Sequence, residues 1–497
     1  MIIPHQMKGK TVAILGLGRS GVATAKALLA AGADILLHDD DSKVLDSVVA
    51  TLQASQPELP VHSQNWSPEN WSPENWSPEH WSWNQISALV ISPGIPHLYP
   101  QPHPVAAAAS SHGVPVISDV ELLMGAEPDA RFIGITGTNG KSTTTALTTH
   151  LLNAAGIPAV MAGNIGTPVL ALELPCLVQS SLEKDAGHRP VIVLELSSYQ
   201  LETTPSLQLD AGALLNVTPD HLERHGDATT GWQGYLQAKA RVPLAVKPGG
   251  VNLIGDDQGC RKIKHQLEAS DPVFLCQTIK GDDSNISTAI ALAAAMVADS
   301  NIFSPDALTA ALDSFTGLPH RMQNCGRYGH CAIINDSKAT NAEATAHALA
   351  SIDPQAEIHW IAGGLGKAGA TDDSDETASL KALKPMLGRI TMAYLIGASA
   401  TDFARQLEPH CPIKHCKTLK TATEAAFAAA TASLQQTVLL LSPAAASFDQ
   451  FDNFEHRGEC FMALIRALTE QGMPAVQENT TANTTKPNNT AKVVQHV

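Results

Sequence analysis

The chain is poor in aromatic residues, poor in charge and has no long apolar run. Aromatics make up 4% of its 497 residues and charged residues 16%. Its longest apolar stretch, Ala289 to Ala298, falls short of the about 20 residues that a membrane helix needs, which predicts no membrane insertion. Met1 to Lys10 lacks the apolar core of a signal peptide, so a cytoplasmic location is expected. Basic residues are also scarce: 32 Lys and Arg face 48 Asp and Glu, for a net charge of −16. That balance excludes nucleic acid as an expected partner. The eight cysteines show no paired CxxC knuckles, so they read as reduced thiols. His410-Cys411, His415-Cys416, Cys325, His330 and Cys331 read the same way, and not as a zinc centre.

What remains is a hydrophobic content of 44%, enough for globular cores. The length predicts about three domains. The expected boundaries are 1–117, 118–317 and 318–474, followed by a disordered tail over 475–497, rich in Asn and Thr.

The most informative segment is Ile135-Thr136-Gly137-Thr138-Asn139-Gly140-Lys141-Ser142-Thr143-Thr144. An apolar run from Phe132 to Ile135 precedes it, and a helical stretch from Thr145 to Leu152 follows. Strand, glycine turn and helix start together predict a phosphate-binding loop. Backbone amides and the helix N-terminus favour an anion there. Lys141 can reach terminal phosphates, and the Ser142 hydroxyl can ligate Mg²⁺. The loop is a variant: Ile135 stands where the strict pattern has its first glycine.

A Rossmann-like unit opens the chain. Thr11 to Leu15 reads as a strand, Gly16-x-Gly18-x-x-Gly21 as a turn and Val22 to Ala31 as a helix. A second strand, Ile35 to Leu37, ends at Asp39 and Asp40, where an acidic residue commonly bonds a ribose. By itself this leaves the nucleotide open, NAD included. Ala88 to Ile91 is another strand end, and the following Ser92-Pro93-Gly94 reads equally as a ligand loop or a plain turn. Between them a Trp-Ser-Pro-Glu repeat runs from about 65 to 83. Its five-residue period fits no solenoid class, and it reads as an expansion within a surface loop.

Further strand ends carry polar groups. Val191 to Leu194 leads to Glu195, a carboxylate placed to hold Mg²⁺. Leu215 to His225 contains His221, which offers a ring nitrogen to a metal, while Thr218 or Asp220 would serve as a helix cap. Lys239, in Tyr235-x-x-Ala238-Lys239, reads from its spacing as a solvated surface lysine. In the third domain, Ile333-Ile334, Trp360-Ile361, Met392 to Ile396 and Val438 to Leu441 read as buried parallel strands. Lys338 and Lys367 follow two of them, a clamp suited to a carboxylate. Ser442 to Phe451 is expected to begin a helix whose amides would hold a second carboxylate.

Taken together, these blocks resemble the Mur ligases, ATP-dependent amide-bond formers of peptidoglycan precursor synthesis. The loop Thr136 to Ser142, Asn216 to His221, His320-Arg321 and Asn335 to Thr340 carry the general resemblance. The run from Ser442 to Gly458, with Phe454, Glu455 and Arg457, is similar to the D-glutamate-adding branch. The fold implied is α/β in three domains: Rossmann-like, a central phosphate-loop ATPase-like domain, and Rossmann-like again. The substrates implied are UDP-N-acetylmuramoyl-L-alanine, D-glutamate and ATP, with two Mg²⁺ ions as cofactors, and the protein implied is a monomer.

The resemblance also implies residue roles. Gly137, Thr138, Asn139, Gly140, Lys141, Ser142, Thr143, Asn285, His320, Arg321 and Asp336 would contact ATP. Arg19, Ser20, Asp39, Asp40, Ser92 and Asn164 would contact the UDP-substrate. Lys338, Thr340, Lys367, Ser447 and Phe454 would form the D-glutamate site. Ser142, Glu195, His221 and a carbamylated Lys239 would hold metal, and Lys141, His221, Lys239 and Arg321 would serve catalysis. Two positions depart from the family pattern. Ser284-Asn285-Ile286-Ser287-Thr288 replaces a His-Asn-x-x-Asn run, and Leu365 stands where Asp is common.

Overall fold

The computed structural model describes residues 1–55, 81–173, 189–270, 276–279, 284–297, 304–365 and 380–471. Lys367, the expected tail over 475–497 and the repeat through Trp76 lie outside these residues. The chain divides into two compact units, the first running from Met1 to Phe315 and the second beginning at Thr316.

Sixteen strands make three sheets among the described residues. The first sheet contains β1 (Thr11–Leu15), β2 (Asp34–His38), β3 (Ile86–Ile91) and β4 (Val116–Ile117), in the order β2-β1-β3-β4 and all parallel. The second contains β5 (Arg131–Thr136), β6 (Ala159–Gly163), β7 (Val191–Glu195), β8 (Leu209–Leu214), β9 (Val246–Ile254) and β10 (Gln277–Thr278). Its order is β10-β9-β8-β5-β7-β6, again wholly parallel. In both sheets the chain reverses its direction of travel beside the strand that bears a glycine turn, which is where parallel sheets leave a crevice for ligands.

The third sheet contains β11 (Gln323–Tyr328), β12 (Cys331–Asn335), β13 (Glu357–Gly363), β14 (Ile390–Ile396), β15 (Ile413–Lys417) and β16 (Thr437–Leu441). Its order is β11-β12-β16-β13-β14-β15. Each of the four expected apolar runs lies within a strand, and those strands pair in parallel. The edge strand β11 is the exception, antiparallel to β12. Its residues are half-buried or exposed, with no apolar run to announce them.

Strands buried on both faces explain the continuous apolar runs. In β7, Ile192 and Leu194 join one core while Val191 and Val193 join another. The first of these cores is shared: Val12, Ile14 and Val90 from the first sheet pack in one cluster with Ile192, Leu194 and Leu209 from the second. This continuity accounts for the first two sheets forming one compact unit.

The surface-loop reading fails at the end of the tryptophan repeat. Trp81 and Trp83 are buried, at 6% and 9% exposure, and pack with Leu89, Ile91 and Val105. Two large rings bury more apolar area than a solvated loop would permit.

Candidate active site

The phosphate loop lies between β5 and the helix Lys141–Ala154, and β5 is flanked by β7 and β8. Gly140 caps the helix with a left-handed φ of +84°. That conformation is open to glycine at no steric cost. A side chain at Gly140 would also strike the carboxamide of Asn285, so the structure places Asn285 against the loop.

Asn216, beyond β8, braces the loop from below. Its Oδ1 accepts from the Asn139 amide at 2.8 Å, and its Nδ2 donates to the Asn139 carbonyl at 3.0 Å. Thr138 adds a hydroxyl contact to Tyr235 at 3.0 Å. Lys141 folds back onto the loop, donating to the carbonyls of Gly137 and Thr138, each at 2.9 Å. Ser142 is buried at the helix start.

Glu195 ends β7 in register with Ile135, only 1% exposed. Asn164 donates to its Oε1 at 2.9 Å, and the Asn164 amide donates to the Glu195 carbonyl. His221 sits at a left-handed φ of +51° and heads the short helix Leu222–Arg224. Neither Thr218 nor Asp220 caps that helix: no side-chain cap bond forms, and His221 occupies the capping position.

Lys239 overturns the surface reading. It lies on the helix Gly231–Ala245 at 2% exposure, donates to the Gly137 carbonyl at 2.8 Å and sits 4.7 Å from the Tyr235 ring centroid. Burial pushes its ammonium well below the usual lysine range, and the charge of Lys141 pushes in the same direction. A residue spacing reports which face of a helix a lysine occupies, not what packs against that face. Ser142, Glu195, His221 and Lys239 therefore supply a hydroxyl, a carboxylate, an imidazole and a buried amine biased towards its neutral form. The two oxygen donors fit a hard divalent cation, and burial that disfavours the lysine charge weakens its repulsion of such an ion.

The glycine-turn edge of the first sheet is similarly built. Ser92 donates to the Gly16 carbonyl at 3.0 Å, and Asp39 accepts from the Leu17 amide at 2.7 Å. Asp39 thus ties the strand end to the glycine turn. A side chain at Gly21 would overlap the Gly16 carbonyl, which explains the glycine there. Arg19 opens the helix Arg19–Ala31 and donates to the Gly166 carbonyl at 3.3 Å, so this edge meets the Asn164 loop. Ser20 contacts Asp119, a buried carboxyl raised to about 6, first by desolvation.

The second unit gathers its own polar group. His320 is buried, and its Nδ1 lies 3.0 Å from Asn335 Nδ2. Asp336 accepts from Ser442 at 2.8 Å and from the Met322 amide at 3.1 Å. Burial raises its carboxyl to about 6, while the Arg321 charge works in the opposite direction. Lys338 Nζ lies 4.7 Å from the Phe454 ring centroid. Ser447 is buried and Thr340 is exposed.

The expected helix at Ser442 does not form there. It begins at Phe454, where Asn453 Oδ1 accepts from the His456 amide at 2.7 Å. Polar side chains occupy the backbone beforehand, as where Asp449 accepts the Ala398 amide at 2.9 Å. The helix places the fully buried Arg457 between two turns. Arg457 donates to the Ser337 carbonyl at 2.7 Å, to the Ser337 hydroxyl at 3.0 Å and to the Ala445 carbonyl at 3.1 Å. From the sequence Arg457, Asn216 and Tyr235 have no assigned role, although all three lie within the motif blocks at Ser442 to Gly458, Leu215 to His225 and Tyr235 to Lys239.

A phosphate loop at a parallel strand end, backed by a buried carboxylate and a buried lysine, defines a nucleotide-dependent α/β enzyme of the phosphoryl-transfer kind. The family models for the Mur ligase middle domain and the Mur ligase glutamate ligase domain match residues 135–302 and 320–444. The chain belongs to the Mur ligase family. It is 39% identical, over 95% of its length and all of the relative's, to the UDP-N-acetylmuramoylalanine–D-glutamate ligase of Paramagnetospirillum magneticum. It is 38% identical to the enzyme of that name from Caulobacter sp. strain K31, over 96% of this chain and all of the relative. In fold it is similar to the UDP-N-acetylmuramate–alanine ligase MurC of Thermotoga maritima, with a TM-score of 0.52 and 13% identity over 93% of this chain and all of that one.

Proposed function

We propose that this chain is the ATP-dependent ligase that adds D-glutamate to UDP-N-acetylmuramoyl-L-alanine, releasing ADP and phosphate. The single observation that carries the reading is the 39% identity to ligases of that activity across nearly the whole chain. The phosphate loop and buried Lys239 support it from the chemistry.

In this reading the L-alanyl carboxylate attacks the γ-phosphate of ATP. An oxygen–phosphorus bond forms, ADP leaves, and an acyl phosphate results. The D-glutamate amine then attacks the acyl carbon, inorganic phosphate leaves, and the amine gives up a proton. Lys141 leaves the Gly137 and Thr138 carbonyls to meet the phosphates, and Gly137 to Thr143 cradle them. Asn285, His320, Arg321 and Asp336 are assigned to ATP, with Arg321 offsetting developing charge.

Arg19, Ser20, Asp39, Asp40, Ser92 and Asn164 are assigned to the UDP-substrate. Lys338, Thr340, Lys367, Ser447 and Phe454 are assigned to D-glutamate. Ser142, Glu195, His221 and a carbamate on Lys239 would hold Mg²⁺, whose role when bound is to neutralise phosphate charge. The carbamate forms when the neutral Lys239 amine attacks carbon dioxide and loses a proton, turning a cation into an oxygen donor. A cytoplasmic monomer completes the proposal.

The test measures phosphate release with ATP, Mg²⁺ and UDP-N-acetylmuramoyl-L-alanine, offering D-glutamate, L-glutamate, L-alanine or L-lysine. Release that depends on D-glutamate is expected; equal release with another acceptor would overturn the assignment.

A further inference from the structure

At the edge of the first sheet, two imidazoles and a carboxylate converge on one point. His38 ends β2, Asp40 follows two residues later, and His103 precedes the helix Pro104–Ser111. Asp40 Oδ1 lies 3.5 Å from His38 Nε2 and 3.0 Å from His103 Nε2. One ligand atom from each residue lies within 4.8 Å of the other two. The His38 and His103 side chains are 21% and 13% exposed, whereas Asp40 is 76% exposed. An ion held there would have protein on one face and water on the other.

The rings are held in place. Buried Trp81 meets His38 edge-on at 6.4 Å, and the two imidazoles lie 5.9 Å apart. Donor chemistry selects the ion. Two imidazoles with one carboxylate suit zinc and its first-row neighbours, whereas Mg²⁺ and Ca²⁺ prefer oxygen throughout. Three protein donors leave a position for water. His103 Nδ1 accepts from the Val105 amide at 3.2 Å, so its neutral ring carries its proton on Nε2, towards Asp40. Metal at Nε2 moves that proton to Nδ1 and releases a long cap bond, leaving the ring neutral.

We propose that His38, Asp40 and His103 form a binding site for one divalent transition-metal ion of the zinc class. The site is separate in residues and in donor type from the oxygen-rich group at Ser142 and Glu195. Asp40 is also assigned to the UDP-substrate above, but the metal site rests on the trio alone.

The full chain is titrated with Zn²⁺ against a fluorescent chelator, with Mg²⁺ in excess to fill the hard-oxygen group. The wild type is expected to take up one ion that His38→Gln and His103→Asn each weaken by about tenfold or more. His103→Asn keeps a capping acceptor for the helix, and thermal melts confirm that each variant is folded. Glu195→Gln is expected to leave this uptake unchanged. If His38→Gln does not fold, His103→Asn alone decides. Uptake unaltered in His103→Asn, or no zinc uptake by the wild type, overturns the site.

Discussion

Lys239 donates to the carbonyl of Gly137 at 2.8 Å across 102 positions of sequence. Lys141 donates to the same oxygen at 2.9 Å. Two basic side chains therefore converge on one acceptor in a buried pocket, which disfavours charge on the more buried of them. This contact makes Lys239 a candidate for carbamylation and couples the helix Gly231–Ala245 to the phosphate loop.

Replacing Lys239 by Ala leaves Gly137 its bond from Lys141 but removes the proposed oxygen donor. Turnover is expected to fall by about 10²-fold or more, with part of the loss restored by added formate or acetate. Labelled carbon dioxide is expected to give a carbamate carbon signal that Lys239→Ala abolishes. A signal that survives in the variant counts against the assignment.

Asn216 holds both backbone polar groups of Asn139, at 2.8 and 3.0 Å. Asn216→Ala leaves the loop without this brace. Each lost bond is worth about 1 kcal/mol, so the KM for ATP should rise by roughly tenfold or more, as 1.4 kcal/mol is tenfold. Initial rates against ATP concentration measure this; an unchanged KM would show that the loop keeps its shape without Asn216.

Asp119 and Asp336 are both buried and raised to about 6 by desolvation. Each folded carboxyl keeps its proton at a pH where the unfolded chain has lost it. The stability so contributed is full below the unfolded value and is lost as pH rises through about 6. Asp336→Asn removes that loss, so relative to wild type the variant should gain stability between about pH 4.5 and pH 7. Asp119→Asn should behave likewise. Urea unfolding at the two pH values checks the sign, and a constant difference would show that the carboxyl is not neutral in the fold.

Arg457 joins Ser337 to Ala445 from within the core. Arg457→Met keeps volume but leaves buried carbonyls unsatisfied, each at a cost of about 1–3 kcal/mol. A lower urea midpoint is expected for the second unit, whereas the first unit's transition should not move. A midpoint equal to wild type would mean that the two turns hold without the guanidinium.

The phosphate loop, Glu195 and the parallel strands were legible because they are local. Strand, glycine turn and helix follow one another within about a dozen residues, and strands buried on both faces read as apolar runs. Lys239 was not legible from spacing, since its burial depends on a loop about a hundred residues away. The resemblance to a family supplied its role, and the fold supplied the contact. Trp81 and Trp83 misled for the same reason: a five-residue repeat gave no sign of the core that receives its last rings. The helix expected at Ser442 was displaced to Phe454 because Asn453 caps it there.

By itself the sequence determined the α/β class, the glycine turns at the strand ends and the family, because each is written in contiguous residues whose order sets backbone conformation. Only the tertiary structure decided that Asn285 abuts Gly140, that Asn164 meets Glu195 and that His38 and His103 share Asp40. Most of these contacts join residues far apart in the chain, at strand ends and at the starts of helices, and the packing of the sheets with their helices, which neighbouring residues do not encode, brings them together.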